Sequence, residues 1–184
     1  MFNVSRLNSE VLTTQLWYAY SGLSIFVSAG SVMYPLISRL FSSKTAFSKL
    51  MIDVRKINPG KVLITNCNGL PIFVRNRTYN QIKTARTVKF VSFKDKLARN
   101  DNISSEALAF DINRCVDRSN QNWLVVMASC PHLGCVPEVT DVGWLCSCHG
   151  SKFDVSGRII DGPSPSNMRV PKCSMKTYQL VIEP

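Results

Sequence analysis

Cysteine and histidine are concentrated in two short stretches in the C-terminal third of the 184-residue chain. The first reads Cys-Pro-His-Leu-Gly-Cys over residues 130–135, and the second reads Cys-Ser-Cys-His-Gly-Ser over residues 146–151. Together they contain four of the seven cysteines and both histidines of the chain. Thiolates and imidazoles are the side chains that bind transition metals, so this concentration predicts a metal site.

Each stretch follows a strand-like run and offers one thiolate and one imidazole within a few residues. Cys130 with His132, and Cys146 with His149, therefore supply two sulfur and two nitrogen ligands from two facing loops. Zinc accepts this set in tetrahedral geometry. A Rieske [2Fe–2S] cluster uses the set differently, with both thiolates on one iron and both imidazoles on the other. The ligand types alone do not distinguish the two metals.

Two further cysteines lie beside these candidate ligands, one in each stretch. A bridge between Cys135 and Cys148 would hold the two loops together over a metal. A zinc site has no need to arrange six candidate ligands in this way, so the extra pair favours the iron–sulfur cluster. Cys67, Cys115 and Cys173 lie outside both stretches and are predicted to be free, buried thiols.

The pattern resembles the Rieske iron–sulfur subunit of the cytochrome bc complexes, which is the ubiquinol–cytochrome c reductase or complex III type. The resemblance covers residues 50–184 and also includes a run similar to the family's proline loop and a run similar to the bc-type head domain. In the C-terminal part the matching segments are Cys-x-His-x-x-Cys-Val-Pro from Cys130, Cys-x-Cys-His-Gly-Ser from Cys146, Asp-x-Ser-Gly-Arg at 154–158, Gly-Pro-x-Pro at 162–165 and Val-Pro at 170–171. Upstream they are Pro-Ile-Phe-Val at 71–74, Arg-Thr at 77–78 and Gln-Ile at 81–82.

The resemblance implies a role for each candidate ligand. Cys130 and Cys146 would bind the buried iron of a [2Fe–2S] cluster, and His132 and His149 would bind the exposed iron. His149 would be the first residue to contact a quinol and accept its proton, with His132 second. Each role is an expectation carried over from the family by position.

The resemblance also implies a Cys135–Cys148 disulfide and a hydrogen bond from the Ser151 hydroxyl to a cluster sulfide. Two residues beyond this serine the bc family usually has a tyrosine that donates to a ligand sulfur, whereas this chain has Phe153. Without this hydrogen-bond donor, the reduced cluster, which is the more negative state, is stabilised less. We therefore predict a midpoint potential lower than that of tyrosine-bearing relatives.

The N-terminal part of the sequence predicts a membrane anchor. No Asp, Glu, Lys or Arg occurs from Val11 to Ser38, and a helix over residues 16–39 is long enough to cross a hydrocarbon core of about 30 Å. A buried core helix and a cleaved signal peptide are the alternatives. Residues 1–15 form an N-terminal segment, and the serine-containing residues 40–49 are predicted to be a flexible hinge.

The remaining residues, 50–184, are predicted to be mainly β. The resemblance implies an antiparallel β-sandwich head with a small cluster-binding subdomain at about residues 128–165. The dipeptide Asn68-Gly69 predicts a hairpin between two strands. Thr78 is the predicted N-cap of a short helix that ends near Arg86.

The resemblance implies an electron-transfer subunit of a quinol–cytochrome c oxidoreductase, with a contribution to proton translocation. Its partners would be cytochrome b, a c-type cytochrome, quinol and membrane lipid, within a dimeric complex. The excess of 22 Lys and Arg over 12 Asp and Glu is scattered, so nucleic acid is not predicted. The alternatives are a plastoquinol- or arsenite-oxidising Rieske subunit and a zinc-stabilised membrane module. A soluble Rieske ferredoxin is disfavoured by the anchor and the extra cysteine pair.

The expected location is the mitochondrial inner membrane, with a single span and the head on the intermembrane-space side. This expectation comes from the absence of a twin-arginine motif between Met1 and Tyr20; a bacterial cytoplasmic membrane is the alternative. Arg39, Lys44 and Lys49 follow the predicted anchor, so the positive-inside rule alone predicts the opposite orientation. The side of the membrane on which the head lies is therefore taken from the family resemblance.

Overall fold

The computed structural model describes residues 48–183. The predicted N-terminal segment, the predicted anchor and residues 40–47 of the predicted hinge lie outside this range. Within residues 48–183, no helix has the length and apolar character needed to span a membrane. These residues form ten strands, one α-helix and three 3-10 turns, and every strand ladder is antiparallel. The predicted mainly β, antiparallel class is confirmed.

Six strands form two three-stranded sheets, which we call the base. They are β1 (Leu50–Asp53), β2 (Val62–Cys67), β3 (Leu70–Asn76), β4 (Trp123–Met127), β9 (Lys172–Lys176) and β10 (Gln179–Glu183). One sheet has the order β1-β10-β9 and the other β2-β3-β4. Strand β3 is central in its sheet, and its residues Ile72, Phe73 and Val74 have no exposed surface. A strand covered on both faces has a continuous apolar run instead of an alternating one.

The predicted hairpin turn joins β2 to β3. Asn68 and Gly69 are its two central residues, with φ angles of +51° and +85°. Both therefore adopt the left-handed conformation that a two-residue hairpin of this kind requires. The turn fixes the register in which Cys67 lies opposite Leu70.

The α-helix, α1 (Tyr79–Thr87), begins at the predicted cap. The Thr78 hydroxyl accepts from the Gln81 N–H, and the Gln81 side chain accepts from the Thr78 N–H, which completes a capping box. The helix buries Ile82 and Ala85. Short 3-10 turns lie at Val54–Lys56, Phe90–Ser92 and Asp111–Asn113.

Four short strands form a separate sheet within the predicted cluster-binding range. They are β5 (Glu138–Thr140), β6 (Gly143–Cys146), β7 (Ser151–Asp154) and β8 (Ile159–Asp161), in that spatial order. Trp144 of this small sheet stacks on Phe73 of the base, with 6.0 Å between ring centroids. The buried Arg75 side chain lies over the same indole and donates to the Gly143 carbonyl oxygen at 3.2 Å. These contacts attach the small sheet to the base.

Candidate metal centre

The first candidate ligand loop, residues 130–135, leaves the base just after β4. It is closed by two backbone hydrogen bonds, from the Cys130 N–H to the Cys135 carbonyl and from the Gly134 N–H to the Cys130 carbonyl, both 2.8 Å. Gly134 has a φ of +84°, which favours glycine in this tight turn. The loop buries Cys130 to 1% exposure and leaves His132 half-buried.

The second candidate ligand loop connects β6 to β7. The Gly150 N–H donates to the Cys146 carbonyl at 2.8 Å, and Cys146 lies opposite Ser151 in the ladder. Cys146 is buried to 2% exposure, whereas His149 is exposed. Each loop therefore buries its candidate ligand cysteine, Cys130 or Cys146, and places its histidine closer to the surface.

A disulfide between Cys135 and Cys148 joins the two loops, with 6.7 Å between the Cα atoms. It brings the imidazole rings of His132 and His149 together, with 4.8 Å between centroids and nearly perpendicular planes. The sulfur atoms of Cys135, Cys146 and Cys148 lie within 4.8 Å of one another. Because two of these sulfurs form the disulfide, only Cys146 of the three offers a thiolate to a metal.

The two remaining loop cysteines, Cys130 and Cys146, lie close enough for the first to affect the pKa of the second. Burial raises the pKa of the Cys146 thiol, and the adjacent Cys130 sulfur raises it further; the N–H groups of Cys148 and His149 that point at the sulfur oppose this shift. Two thiolates this close repel each other unless a cation lies between them. Their position therefore fits a metal that binds both sulfurs.

His132 supplies an independent sign of a metal site. Its Nδ1 atom is buried and has no hydrogen-bond partner among the described residues. A buried polar atom without a partner costs about 1–3 kcal/mol, and a metal ion would remove that cost. Two buried thiols and two adjacent imidazoles, one with an unpartnered nitrogen, fit the ligand set of a Rieske cluster.

A third loop, residues 162–167, packs against the end of the second ligand loop and contains the predicted proline loop. A Cβ atom at Gly162 would lie only 2.5 Å from the Ser151 Cα, so the two backbones are in direct contact. The Ser164 N–H donates to the Ser151 hydroxyl oxygen at 3.1 Å. A serine hydroxyl that accepts this bond still has its own proton to donate. Ser151 is thus oriented by the third loop and fully buried.

Phe153 occupies the position where the family usually has tyrosine. It lies opposite Trp144, two residues along β7 from Ser151 and on the same buried face, and is 2% exposed. The ring fills the core and carries no hydroxyl.

Sequence reasoning missed the residues that hold the third loop. Lys94 Nζ donates to the Gly162 carbonyl at 2.7 Å, and the Asp95 carboxylate accepts from the Asn167 N–H at 2.9 Å. Asn167 in turn accepts from the Ile159 N–H of β8 at 2.9 Å. The contacts of Lys94 and Asp95 join residues about 70 apart, so no local pattern in the sequence signals them.

The fold and site define a Rieske [2Fe–2S] protein, and the "Rieske [2Fe-2S] domain" family model matches residues 87–179. The "Ubiquinol-cytochrome c reductase iron-sulfur subunit" of Cereibacter sphaeroides is 40% identical over 163 residues, which cover 85% of this chain and 86% of that protein. The chain belongs to the family of ubiquinol–cytochrome c reductase iron–sulfur subunits, which are electron-transfer proteins with a [2Fe–2S] cofactor. The family resemblance seen in the sequence is confirmed.

A mitochondrial relative agrees with this assignment, and a solved structure agrees with the fold. The "Cytochrome b-c1 complex subunit Rieske, mitochondrial" of Schizosaccharomyces pombe is 36% identical over 140 residues, which cover 74% of this chain and 55% of that longer protein. A chain of the solved structure "Hyperthermophilic respiratory Complex III" aligns with a TM-score of 0.50 over 89% of this chain and 98% of its own length. At 21% identity, that structure supports the fold alone.

Proposed function

We propose that this chain takes electrons from a membrane quinol and passes them to a c-type cytochrome, as part of a quinol–cytochrome c oxidoreductase that translocates protons. The observation that supports this most directly is the pair of adjacent imidazoles on two disulfide-linked loops, with His149 exposed. An exposed imidazole next to a redox centre gives the substrate direct access to a proton acceptor. The names of the bacterial and mitochondrial relatives agree with this reaction.

We propose that Cys130 and Cys146 hold the buried iron and that His132 and His149 hold the exposed iron. When bound, the cluster supplies a one-electron acceptor. The two buried sulfurs keep water from one side of the site, and the two histidines form its accessible side. Ser151, oriented by the Ser164 N–H, is proposed to donate its hydroxyl proton to a cluster sulfide.

The histidines are proposed to receive the proton that quinol loses. Because Nδ1 of His132 is the buried ring atom, Nε2 is the nitrogen of this residue that can meet quinol. His149 is more exposed and is therefore the first acceptor. An imidazole suits this task because its ordinary pKa is close to neutral.

The membrane arrangement is proposed from the sequence and the family. Residues 1–15 would precede a single membrane helix at 16–39, a hinge at 40–49 and the head at 50–184, with its cluster-binding part at about 128–165. The head would meet cytochrome b and a c-type cytochrome in a dimeric complex, on the intermembrane-space side of the mitochondrial inner membrane or the equivalent side of a bacterial one. Turnover that is insensitive to proline substitutions near Ser43 would contradict the hinge.

Two cysteine variants of the full chain, expressed within its membrane complex, test the proposed function. Cys146→Ser removes a proposed ligand, and Cys173→Ser changes a buried thiol that lies in β9 of the base. We expect Cys146→Ser to lose both the electron paramagnetic resonance signal of the dithionite-reduced cluster and quinol-dependent cytochrome c reduction. Cys173→Ser should keep both. Normal quinol-dependent turnover in a complex that lacks the cluster signal would contradict the proposal, and zinc without iron or sulfide would favour the zinc module.

A further inference from the structure

A strongly basic stretch of surface lies outside the two ligand loops. We call residues 83–96 the basic segment. It contains five basic residues and one acidic residue: Lys83, Arg86, Lys89, Lys94, Lys96 and Asp95. The acid does not offset this charge at the surface, because Asp95 is buried and paired with Arg99 at 2.8 Å. None of the four lysines forms a salt bridge within the described part of the chain.

The basic segment is held in a defined conformation. Phe90 packs on Phe93 and on Phe110, with 5.5 and 5.2 Å between ring centroids. Lys96 lies over the Phe90 ring at 4.8 Å and donates to the Phe90 and Val91 carbonyls at 3.0 and 3.1 Å. Lys96 is therefore held against the packed aromatic rings.

The basic segment also exposes apolar residues. Val91 is 80% exposed and Val88 is 40% exposed, and both lie within two residues of Lys89 in the sequence. An exposed apolar surface rimmed by polar residues is typical of a surface that another molecule covers. The combination favours a partner with an apolar centre and an acidic surround.

The basic segment adjoins the redox site. Lys94 donates to the carbonyl of Gly162, and Gly162 packs directly on the Ser151 backbone beside Cys146. A molecule that approaches the exposed His149 would therefore also meet the positive charge of Lys94. Charged groups beside a docking site speed the encounter and fix its orientation.

We infer that the basic segment is a docking surface for an acidic electron-transfer protein, namely a c-type cytochrome whose haem edge is surrounded by carboxylates. The inference rests on the proposed function and specifies the chemistry of the electron-accepting partner. Contact between Lys94 and the loop that covers Ser151 places the segment beside the redox site, which favours a redox protein as the partner. One electron passes from the reduced chain to the oxidised haem, and no other group is transferred.

Two charge-reversal variants of the full-length, cluster-loaded chain in zwitterionic detergent test this inference. Lys83→Glu/Lys89→Glu reverses two charges whose side chains make no hydrogen bonds in the described part of the chain. Lys56→Glu/Lys176→Glu makes the same change in net charge next to the β1-β10-β9 sheet of the base, where both lysines are exposed and also outside any salt bridge with the described residues. The chain is reduced with ascorbate, and stopped-flow absorbance follows its oxidation by an acidic c-type cytochrome.

We expect the second-order rate constant of Lys83→Glu/Lys89→Glu to fall about 10-fold or more below that of the unmodified chain at low ionic strength. The Lys56→Glu/Lys176→Glu rate should stay within about twofold of the unmodified chain, since exposed charges act over roughly one Debye length. The difference should disappear in about 1 M salt, where that length is about 3 Å. With a basic c-type cytochrome, the effect of Lys83→Glu/Lys89→Glu should reverse in sign.

Equal rates for the two double variants, with normal cluster signals, would overturn the inference. A second result would also overturn it. If Lys83→Glu/Lys89→Glu lost binding to phosphatidylglycerol vesicles while its rate of electron transfer stayed unchanged, the segment would face lipid. Failure of the proposed function gives a different result. In that case the unmodified chain would show its cluster signal and still transfer no electron to the cytochrome.

Discussion

Phe153 is the residue at which this site departs from its family. Its ring is buried beside Ser151 and opposite Trp144. The family usually has at this position a tyrosine whose hydroxyl donates to a ligand sulfur. A hydrogen bond to a charged group contributes about 1.5–3 kcal/mol, and if it formed only with the reduced cluster this would correspond to about 65–130 mV for a one-electron couple. We therefore expect Phe153→Tyr to raise the midpoint potential by up to this amount, as measured by protein-film voltammetry.

The matched control is Phe110→Tyr, which adds the same hydroxyl to a half-exposed ring outside the ligand loops. Its potential should equal that of the unmodified protein. A potential that is unchanged or lower in Phe153→Tyr would show that the missing hydroxyl does not set the potential.

The sequence predicts individual residues well where their chemistry is rare and poorly where it is common. Both histidines lie beside cysteines, so a metal site follows from residue type and spacing. Arg75, Arg77 and Arg114, by contrast, are almost fully buried, although arginine is normally found at the surface. Arg114 is buried because its guanidinium donates to backbone carbonyls from three separate segments, and such contacts leave no local signal.

Gly162 controls how the third loop meets the ligand loops. Its φ of +93° already favours glycine, and an added Cβ would lie 2.5 Å from the Ser151 Cα and 2.8 Å from the Gly150 carbonyl oxygen. Backbone atoms cannot move aside as a flexible side chain does, so Gly162→Ala should separate the third loop from Ser151. We expect a loss of about 1–3 kcal/mol of unfolding free energy and an altered cluster spectrum, measured by thermal unfolding and electron paramagnetic resonance.

Gly69→Ala is the control for backbone strain. Gly69 has a similar φ of +85°, but a Cβ added there would meet no atom of the surrounding structure within 4 Å. This variant should be destabilised by the left-handed conformation alone, about 1–2 kcal/mol, with an unchanged cluster spectrum. If both variants leave the spectrum unchanged, the third loop does not position Ser151.

At the scale of elements, the sequence predicts strands that have a clear turn and misses those that do not. The Asn68-Gly69 turn and the Thr78 cap are confirmed. The hairpin β9–β10 lacks a clear turn signal, because its turn contains Thr177 at φ +55°, where glycine or asparagine is usual. Strands β5 to β8 have three or four residues each, too few for an alternating pattern to be recognised.

The whole domain is connected through the buried carboxylate of Asp111. It accepts from Arg77, which follows β3 of the base, and from Ser156, in the turn between β7 and β8, both at 2.5 Å. It also pairs with Arg86 of α1 at 3.3 Å. One side chain thus joins the base, the helix and the small sheet. Its partners are 25 to 45 residues away in sequence, so only the folded structure reveals the link.

Asp111→Asn should therefore destabilise the whole domain. Removal of the negative charge leaves Arg77 buried without a counter-ion, which costs about 3–5 kcal/mol. We expect this loss of unfolding free energy at pH 7, measured by urea denaturation of the cluster-loaded chain in detergent. Glu106→Gln, which removes an exposed carboxylate that forms no salt bridge with the described residues, should change stability by less than about 0.5 kcal/mol.

The effect of Asp111 should also depend on pH. Burial raises the pKa of this carboxyl, but the Arg77 guanidinium, the Ser156 hydroxyl and Arg86 together outweigh burial and hold the pKa below its ordinary value. A carboxyl whose pKa is lower in the folded state contributes stability above its unfolded pKa of about 3.9, and this contribution is lost as the pH falls through the folded pKa. The gap in unfolding free energy between the unmodified chain and Asp111→Asn should therefore be constant from pH 7 to about pH 5 and narrow below about pH 4. A gap that stays constant into acid would mean that the Asp111 charge is not what connects the base to the small sheet.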